Sequence, residues 1–178
     1  MKWLLIVLAA LVGVVALMAL IGALVPRDHV AGASVTLRQP AESVWKVVRD
    51  LGGIPQWWGE VKQSERIPDG GGPERWSQAM SGFKMALVVE VDDPPHRLVT
   101  RIDAPPDAPF GGTWTYVIAP TPGGSRLTVT ERGWIGNPIF RFLSRFVFGY
   151  YGTQEGYLRA LGKRFGEDVR PVREPASS

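Results

Sequence analysis

The chain contains no cysteine. That removes disulfides, thiolate metal sites and a cysteine nucleophile, and it suits a reducing or an oxidising compartment equally. Histidine is nearly absent too: His29 follows the first apolar run, and His96 follows Pro94-Pro95 at an expected turn. A hydrolytic triad or a zinc site needs a well-placed histidine, and both are read as solvated loop residues. An excess of charge of one sign is also missing. The 20 Lys and Arg and 17 Asp and Glu are dispersed along the chain and leave a net charge of +3, without the clustered basic stripe that nucleic acid requires. No metal, cofactor, nucleic-acid partner or histidine–carboxylate pair is therefore expected.

Charged and strongly polar side chains are missing altogether from Trp3 to Val25. Twenty-three helical residues at about 1.5 Å each reach roughly 35 Å, enough to cross a hydrocarbon core of about 30 Å. A cleavable signal peptide is the rival, but its apolar region normally runs about 7–15 residues, with a small-residue cleavage site close behind. Here the apolar run is longer, and Ala31-Gly32-Ala33 lies well past Pro26-Arg27. Residues 1–25 are expected to be a single-pass transmembrane anchor, with the membrane as partner through residues 3–25. Lys2 on one side against Arg27 and Arg38 on the other leaves orientation weakly determined. An uncleaved anchor with almost nothing before it favours the extracytoplasmic side for the domain it carries.

The remainder, about 150 residues, is the usual size of one domain. Residues 26–32 read as a linker, 33–168 as the folded domain and 169–178 as a polar tail. The 15 Pro and 21 Gly favour many turns and short strands. Val35 and Leu37 alternate with polar neighbours as in a half-buried strand. Pro40 opens a helix through Arg49, with Val44, Val47 and Val48 on one face. Period-2 strands then follow at 61–67, 74–80, 83–91, 97–103, 113–119 and 126–132, separated by Pro/Gly turns. From Pro138 to Phe165 the spacing turns helical: Phe140, Leu143, Val147, Tyr151, Gln154, Leu158, Leu161 and Phe165 recur at three and four. Strands segregated from one long helix indicate an α+β fold.

The run Ser34-Val35-Thr36-Leu37, Pro40-Ala41, Val44-Trp45-Lys46-Val47-Val48-Arg49-Asp50 and Pro55-Gln56-Trp57-Trp58 resembles the opening of START-related helix-grip (SRPBCC) proteins. The polyketide cyclase/dehydrase and lipid-transport branch is the most similar group. The resemblance continues through Arg97-Leu98-Val99-Thr100, Gly112-Thr113-Trp114-Thr115-Tyr116, Arg126-Leu127-Thr128-Val129-Thr130-Glu131 and the last helix, about residues 33–168. It implies an antiparallel sheet of about seven strands wrapped around a long carboxy-terminal helix, with a cavity between them. It also implies a hydrophobic ligand or lipid as partner, or cyclisation or dehydration of a polyketide.

Candidate cavity residues follow from strand phase. Phe83, Met85, Leu87, Leu98, Thr100, Trp114, Tyr116, Leu127 and Val129 share the inward face. Trp57 and Trp58 are adjacent on a short turn, so only one is expected to point inward. Tyr151 is a candidate hydroxyl donor. Glu131 follows Leu127 and Val129 inward, where a carboxylate is costly unless paired. It either reaches water or Arg101, anchors a ligand head group, or moves a proton. Gly149, Gly152 and Gly156 form a small-residue stripe that allows close approach or leaves room for a ligand. The apolar start of the last helix, 138–148, reads as a buried end, with contact between its aromatic and basic side chains and a bilayer as the alternative. Three functions remain open: a membrane-tethered binding module for a lipid or other apolar molecule, a cyclase-type enzyme, and a protein-interaction domain whose interior is filled by its own side chains.

Overall fold

The period-2 stretches join into one antiparallel sheet. The computed structural model describes residues 2–68, 70–105 and 107–175. The strands are β1 (Asp28–Leu37), β2 (Val61–Ile67), β3 (Arg75–Met80), β4 (Phe83–Asp93), β5 (Arg97–Ile102), β6 (Phe110–Thr121), β7 (Gly124–Ile135) and β8 (Val172–Glu174). Their spatial order is β2-β3-β4-β5-β6-β7-β1-β8. From β2 to β7 each strand pairs with the next in sequence, and β1 closes back onto β7.

Two stretches differ from the sequence expectation. Residues 28–32 are strand rather than linker, because β1 pairs with β7 from Asp28↔Trp134 to Leu37↔Ser125. Ala31, Gly32 and Ala33 have linker composition, yet both alanines are fully buried; small size suits them to a crowded interior. The expected polar tail supplies an eighth strand, since Val172–Glu174 pairs with Gly32–Ser34 at the sheet edge. Ser34 Oγ donates to Glu174 Oε1 at 2.5 Å, and Arg126 bonds the same carboxylate. These two bonds, that from Ser34 foremost, hold the Glu174 carboxyl below its usual range.

Helix α1 spans Lys2–Leu24, α2 Ala41–Arg49, α3 Pro138–Leu143 and α4 Gly152–Arg164. In α2 the buried Ala41, Val44, Trp45 and Val48 fall on one face, as spacings of three and four require. A 3₁₀ turn at Leu51–Gln56 follows, opened by Asp50, whose Oδ1 accepts from Gly53 N at 3.0 Å. The sheet curls around α4, which buries Gln154, Tyr157, Leu158, Leu161 and Gly162. Leu37, Leu98, Ile118, Leu127 and Val129 complete this core, each large aliphatic side chain contributing about 1.5–3 kcal/mol by burial.

The expected single helix over 138–165 is interrupted. A π-helical turn, Ser144–Phe148, follows α3, and the helix resumes only at Gly152. Gly149 breaks it with φ +75°, a conformation costly for any residue with a Cβ. The expectation of a buried helix end at 138–148 is also corrected: no residue of α3 or the π-helical turn is buried. Helix α3 lies against α1.

The 23 residues of α1 are long and apolar enough to cross a membrane. Its final turns meet α3. A Cβ on Gly22 would lie 1.9 Å from the Pro138 carbonyl oxygen, so a glycine is what lets the two helices touch. Arg141 Nη1 donates to Val25 O at 3.0 Å. Only Val25, Pro26 and Arg27 separate α1 from β1.

Candidate functional site

A cavity of about 560 Å³ lies between the sheet and α4. Its walls come from Leu51, Ile54 and Trp58 of the 3₁₀ turn region, Met80 of β3, Phe83, Met85 and Leu87 of β4, Ile102 of β5, and Phe110, Trp114 and Tyr116 of β6. Glu60, Gln78, Thr100, Glu131 and Thr153 add polar groups. On the helical side stand Phe148, Gly149, Gly152 and Gly156. A Cβ at any of these three glycines would meet nothing within 4 Å, so their missing side chains are part of the empty volume.

Strand registration sorts the expected residues. Thr100, Trp114 and Glu131 form one row across β5, β6 and β7, and all three line the cavity with Trp58, Phe83, Met85, Leu87 and Tyr116. The next row is Leu98, Tyr116 and Val129. Leu98, Leu127 and Val129 face the same way but are completely buried among core side chains. Alternation identifies the face; distance along the strand decides whether a side chain meets α4 or open space. Trp57 and Tyr151 do not line the cavity. Trp57 packs edge-on against Tyr157 at 5.2 Å between ring centroids, and Tyr151 lies beneath the Arg173 guanidinium at 4.8 Å.

The expectation that only one of Trp57 and Trp58 points inward is overturned, because both meet Tyr157, Trp58 at 5.1 Å. The ring of Tyr157 is large enough to fill the angle between them, and it also meets Trp114 and Tyr116. Burial, with Tyr116 close by, pushes the Tyr157 hydroxyl far above its ordinary value. Burial raises Tyr116 as well, opposed by a hydrogen bond with Thr100 and reinforced by the Glu131 charge. Both phenols are therefore neutral at physiological pH.

Of the two carboxylates on this wall, Glu60 is exposed and Glu131 is half-buried. Gln154 Nε2, from α4, donates to its Oε2. His29 Nε2 stands 3.6 Å from its Oε1, too far for a good hydrogen bond. The His29 ring stacks on Tyr150 with centroids 4.4 Å apart, and its side chain is only 11% exposed. Gly133, opposite His29 in the ladder, makes the space, since a Cβ there would come within 2.7 Å of the imidazole. This corrects two expectations: His29 is not a solvated loop residue, and a histidine–carboxylate pair does exist. The reason is the earlier start of β1, which puts His29 in phase with the inward Ala31, Ala33, Val35 and Leu37. Arg101 does not reach Glu131; it pairs with Glu90 and approaches Asp103. His96 lies exposed in its turn, as expected.

Sequence reasoning missed His29 and Gln154 as partners of Glu131, and Phe110 and Phe148 as wall residues. Gln154 carried a signal: it is the one amide on the otherwise apolar and aromatic stripe of the last helix. Among the described residues no group of three or more His, Cys, Asp or Glu is placed to hold a metal. The arrangement can enclose an apolar body, accept hydrogen bonds from or attract a cationic group at Glu131, and exchange a proton there.

The sequence model of the family described as polyketide cyclase / dehydrase and lipid transport matches residues 29–164. A solved structure from Thermus thermophilus is similar with a TM-score of 0.61 and 25% identity, over 76% of this chain and 96% of that one. A START superfamily protein from Mycobacterium smegmatis has a TM-score of 0.58 and 20% identity, over 76% and 96%. Norcoclaurine synthase from Thalictrum flavum has a TM-score of 0.60 and 16% identity, over 79% and 87%. No functionally curated protein matches the chain.

Proposed function

Since the chain belongs to the polyketide cyclase / dehydrase and lipid transport family, we propose that it is a membrane-tethered binding protein for a lipid or other hydrophobic small molecule. The observation that carries this reading is the 560 Å³ cavity, apolar over most of its wall, with two carboxylates on its lining, exposed Glu60 and half-buried Glu131, of which Glu131 is held by Gln154. Ligand pockets commonly have a largely apolar lining and a few fixed polar groups. An open volume of this size fits poorly with a domain filled by its own side chains. The ligand has an apolar body that fills the space beside Gly152 and Gly156 and a donor or cationic group that meets Glu131.

The tether is α1, with the domain on the extracytoplasmic side. The close seat of Gly22 against Pro138 supports retention over removal as a signal sequence, because cleavage would bare the face of α3 that α1 covers. Native mass spectrometry of the full chain from lipid nanodiscs tests the binding reading. A bound mass of lipid or small-molecule size is expected. Repeated recovery of empty protein, with no binding of added apolar probes, would refute it.

A second reading, a cyclase-type enzyme, is favoured by the His29–Glu131 contact, which the sequence did not suggest. A carboxylate beside an imidazole can take a proton from a bound substrate and return it elsewhere. Turnover of an aromatic or polyketide-like ligand whose pH profile changes on His29→Asn would support catalysis. Unchanged ligand after incubation would leave binding as the function.

A further inference from the structure

We propose that the exposed face of residues 140–148 sits in the interfacial layer of the same bilayer that α1 enters, and that the cavity opens towards lipid beside it. This rests on the reading of α1 as a retained anchor. The first support is the joint. Three residues span at most about 10 Å when extended, so the part of the domain next to Arg27 is held at the bilayer surface. The second is depth. Helix α3 packs along the last turns of α1, where Met18, Ala19, Ile21 and Gly22 lose exposure. Met18 precedes Leu24 by six residues, about 9 Å along a helix. An α1 that spans the membrane therefore carries α3 into the headgroup layer with it.

The chemistry of the attached surface matches that position. Phe140, Phe146, Val147 and Phe148 are 57–69% exposed, a concentration of large apolar side chains that suits lipid contact better than water. Basic groups flank them: Arg145 is exposed, Arg141 binds the Val25 carbonyl, and Arg27 lies over Trp134 at 4.4 Å. Arginine and tryptophan beside an apolar face suit the boundary between headgroups and acyl chains. Phe148 also belongs to the cavity wall, with Gly149, Gly152 and Thr153 next to it. The mouth of the cavity and the lipid-facing patch share a residue, so an apolar ligand passes from bilayer to cavity without crossing water. The π-helical turn and Gly149 supply a break in the helix at that point.

The absence of cysteine makes the test direct, because a single introduced thiol is the sole labelling site. Phe146→Cys, Phe148→Cys, Thr153→Cys and Val117→Cys of the full chain are spin-labelled and reconstituted into phosphatidylcholine/phosphatidylglycerol vesicles. Relaxation by oxygen, which concentrates in lipid, is compared with relaxation by a water-soluble nickel chelate. Val117 is exposed and lies further along β6 from the Phe110 end. Oxygen-dominated relaxation is expected at 146, 148 and 153, and nickel-dominated relaxation at 117. Labels at 146 and 148 that behave like the one at 117 overturn the membrane contact. A lipid-exposed 146 and 148 with a water-exposed 153 overturns the lipid-facing mouth. Intact mass of the same samples shows whether α1 is present, and its loss also overturns the proposal. No ligand is needed, so failure of the binding reading is scored separately.

Discussion

Replacing Glu131 by glutamine keeps the shape of the side chain and removes its charge. The structure sets the cost on each side. Gln154 Nε2 already donates to this group, and an amide oxygen accepts that bond as a carboxylate does. His29 stands 3.6 Å away, so no short ion pair is broken. Stability should fall by no more than about 1 kcal/mol, the net worth of one ordinary hydrogen bond. Removing one member of a tight buried ion pair would instead cost about 3–5 kcal/mol. Binding carries a different cost, because a charged hydrogen bond to the ligand is worth about 1.5–3 kcal/mol, roughly ten- to a hundredfold in affinity. The assay is thermal melting and titration of the same Glu131→Gln protein, using a fluorescent apolar amine and a neutral dye of similar size. The amine should lose affinity and the neutral dye should not. Unchanged amine binding with normal melting would refute the anchoring role, and a stability loss of several kcal/mol would show that the carboxylate is structural.

Gly156→Leu should fill the cavity from within α4, where a Cβ meets nothing within 4 Å; probe binding should disappear while stability rises by up to about 1 kcal/mol, since glycine is a poor helix former. Acid should weaken the fold through Glu74, whose carboxyl is held below its ordinary value first by Arg49 (2.6 and 3.1 Å) and also by Trp76, against the opposing effect of burial. Because the folded value is the lower one, this stability is present above the unfolded pKa of about 4.3 and fades as pH falls through the folded value. Chemical denaturation between pH 6 and pH 3 should show a drop that Glu74→Gln reduces, of about 1 kcal/mol for a pair this accessible. A chain starting at Pro26 should unfold cooperatively, whereas one starting at Ala33 loses the Asp28–Gly32 pairing with β7 and should melt lower by calorimetry. Intact-mass measurement of membrane-extracted protein should find the residues from Lys2 onward, and a mature chain beginning after Val25 would refute the tether.

The parts of the fold that were legible in sequence are those where one side of an element meets the core and the other meets water. Alternation through 126–132 and the spacing of Val44 and Val48 follow from that asymmetry and locate β7 and α2. Strands β4 and β5 showed the same period although Leu87 and Val88, and Leu98 to Thr100, are buried on both faces, and a register shift between Val89 and Val91 breaks the expected phase of β4. Strand β1 hid its beginning because Ala31 and Ala33 are small on the buried side, so the contrast that marks a strand is weak there; His29 was lost with it. Strand β8 is three residues long, too short to show a period. The break at Gly149 was present as one glycine in a row of three, and nothing local separates a glycine that ends a helix from one that clears a cavity. Glu131 could be placed on the inward face, but its partners come from β1 and α4, and such distant pairing is a property of the packed chain.

On the proposed reading of α1 as a tether, the joint at Val25-Pro26-Arg27 also sets how far a bound ligand could travel. A folded unit of this size has a radius of gyration of about 15 Å, larger than the extended length of the joint. With α1 in a bilayer, the domain cannot swing out to a facing membrane; it patrols in two dimensions, on one leaflet. Exchange then depends on how densely copies and their lipids populate that surface and on lateral diffusion, and diluting the surrounding solution leaves it unchanged. Delivery across an aqueous gap would need a second, diffusible acceptor to come to the membrane and collect.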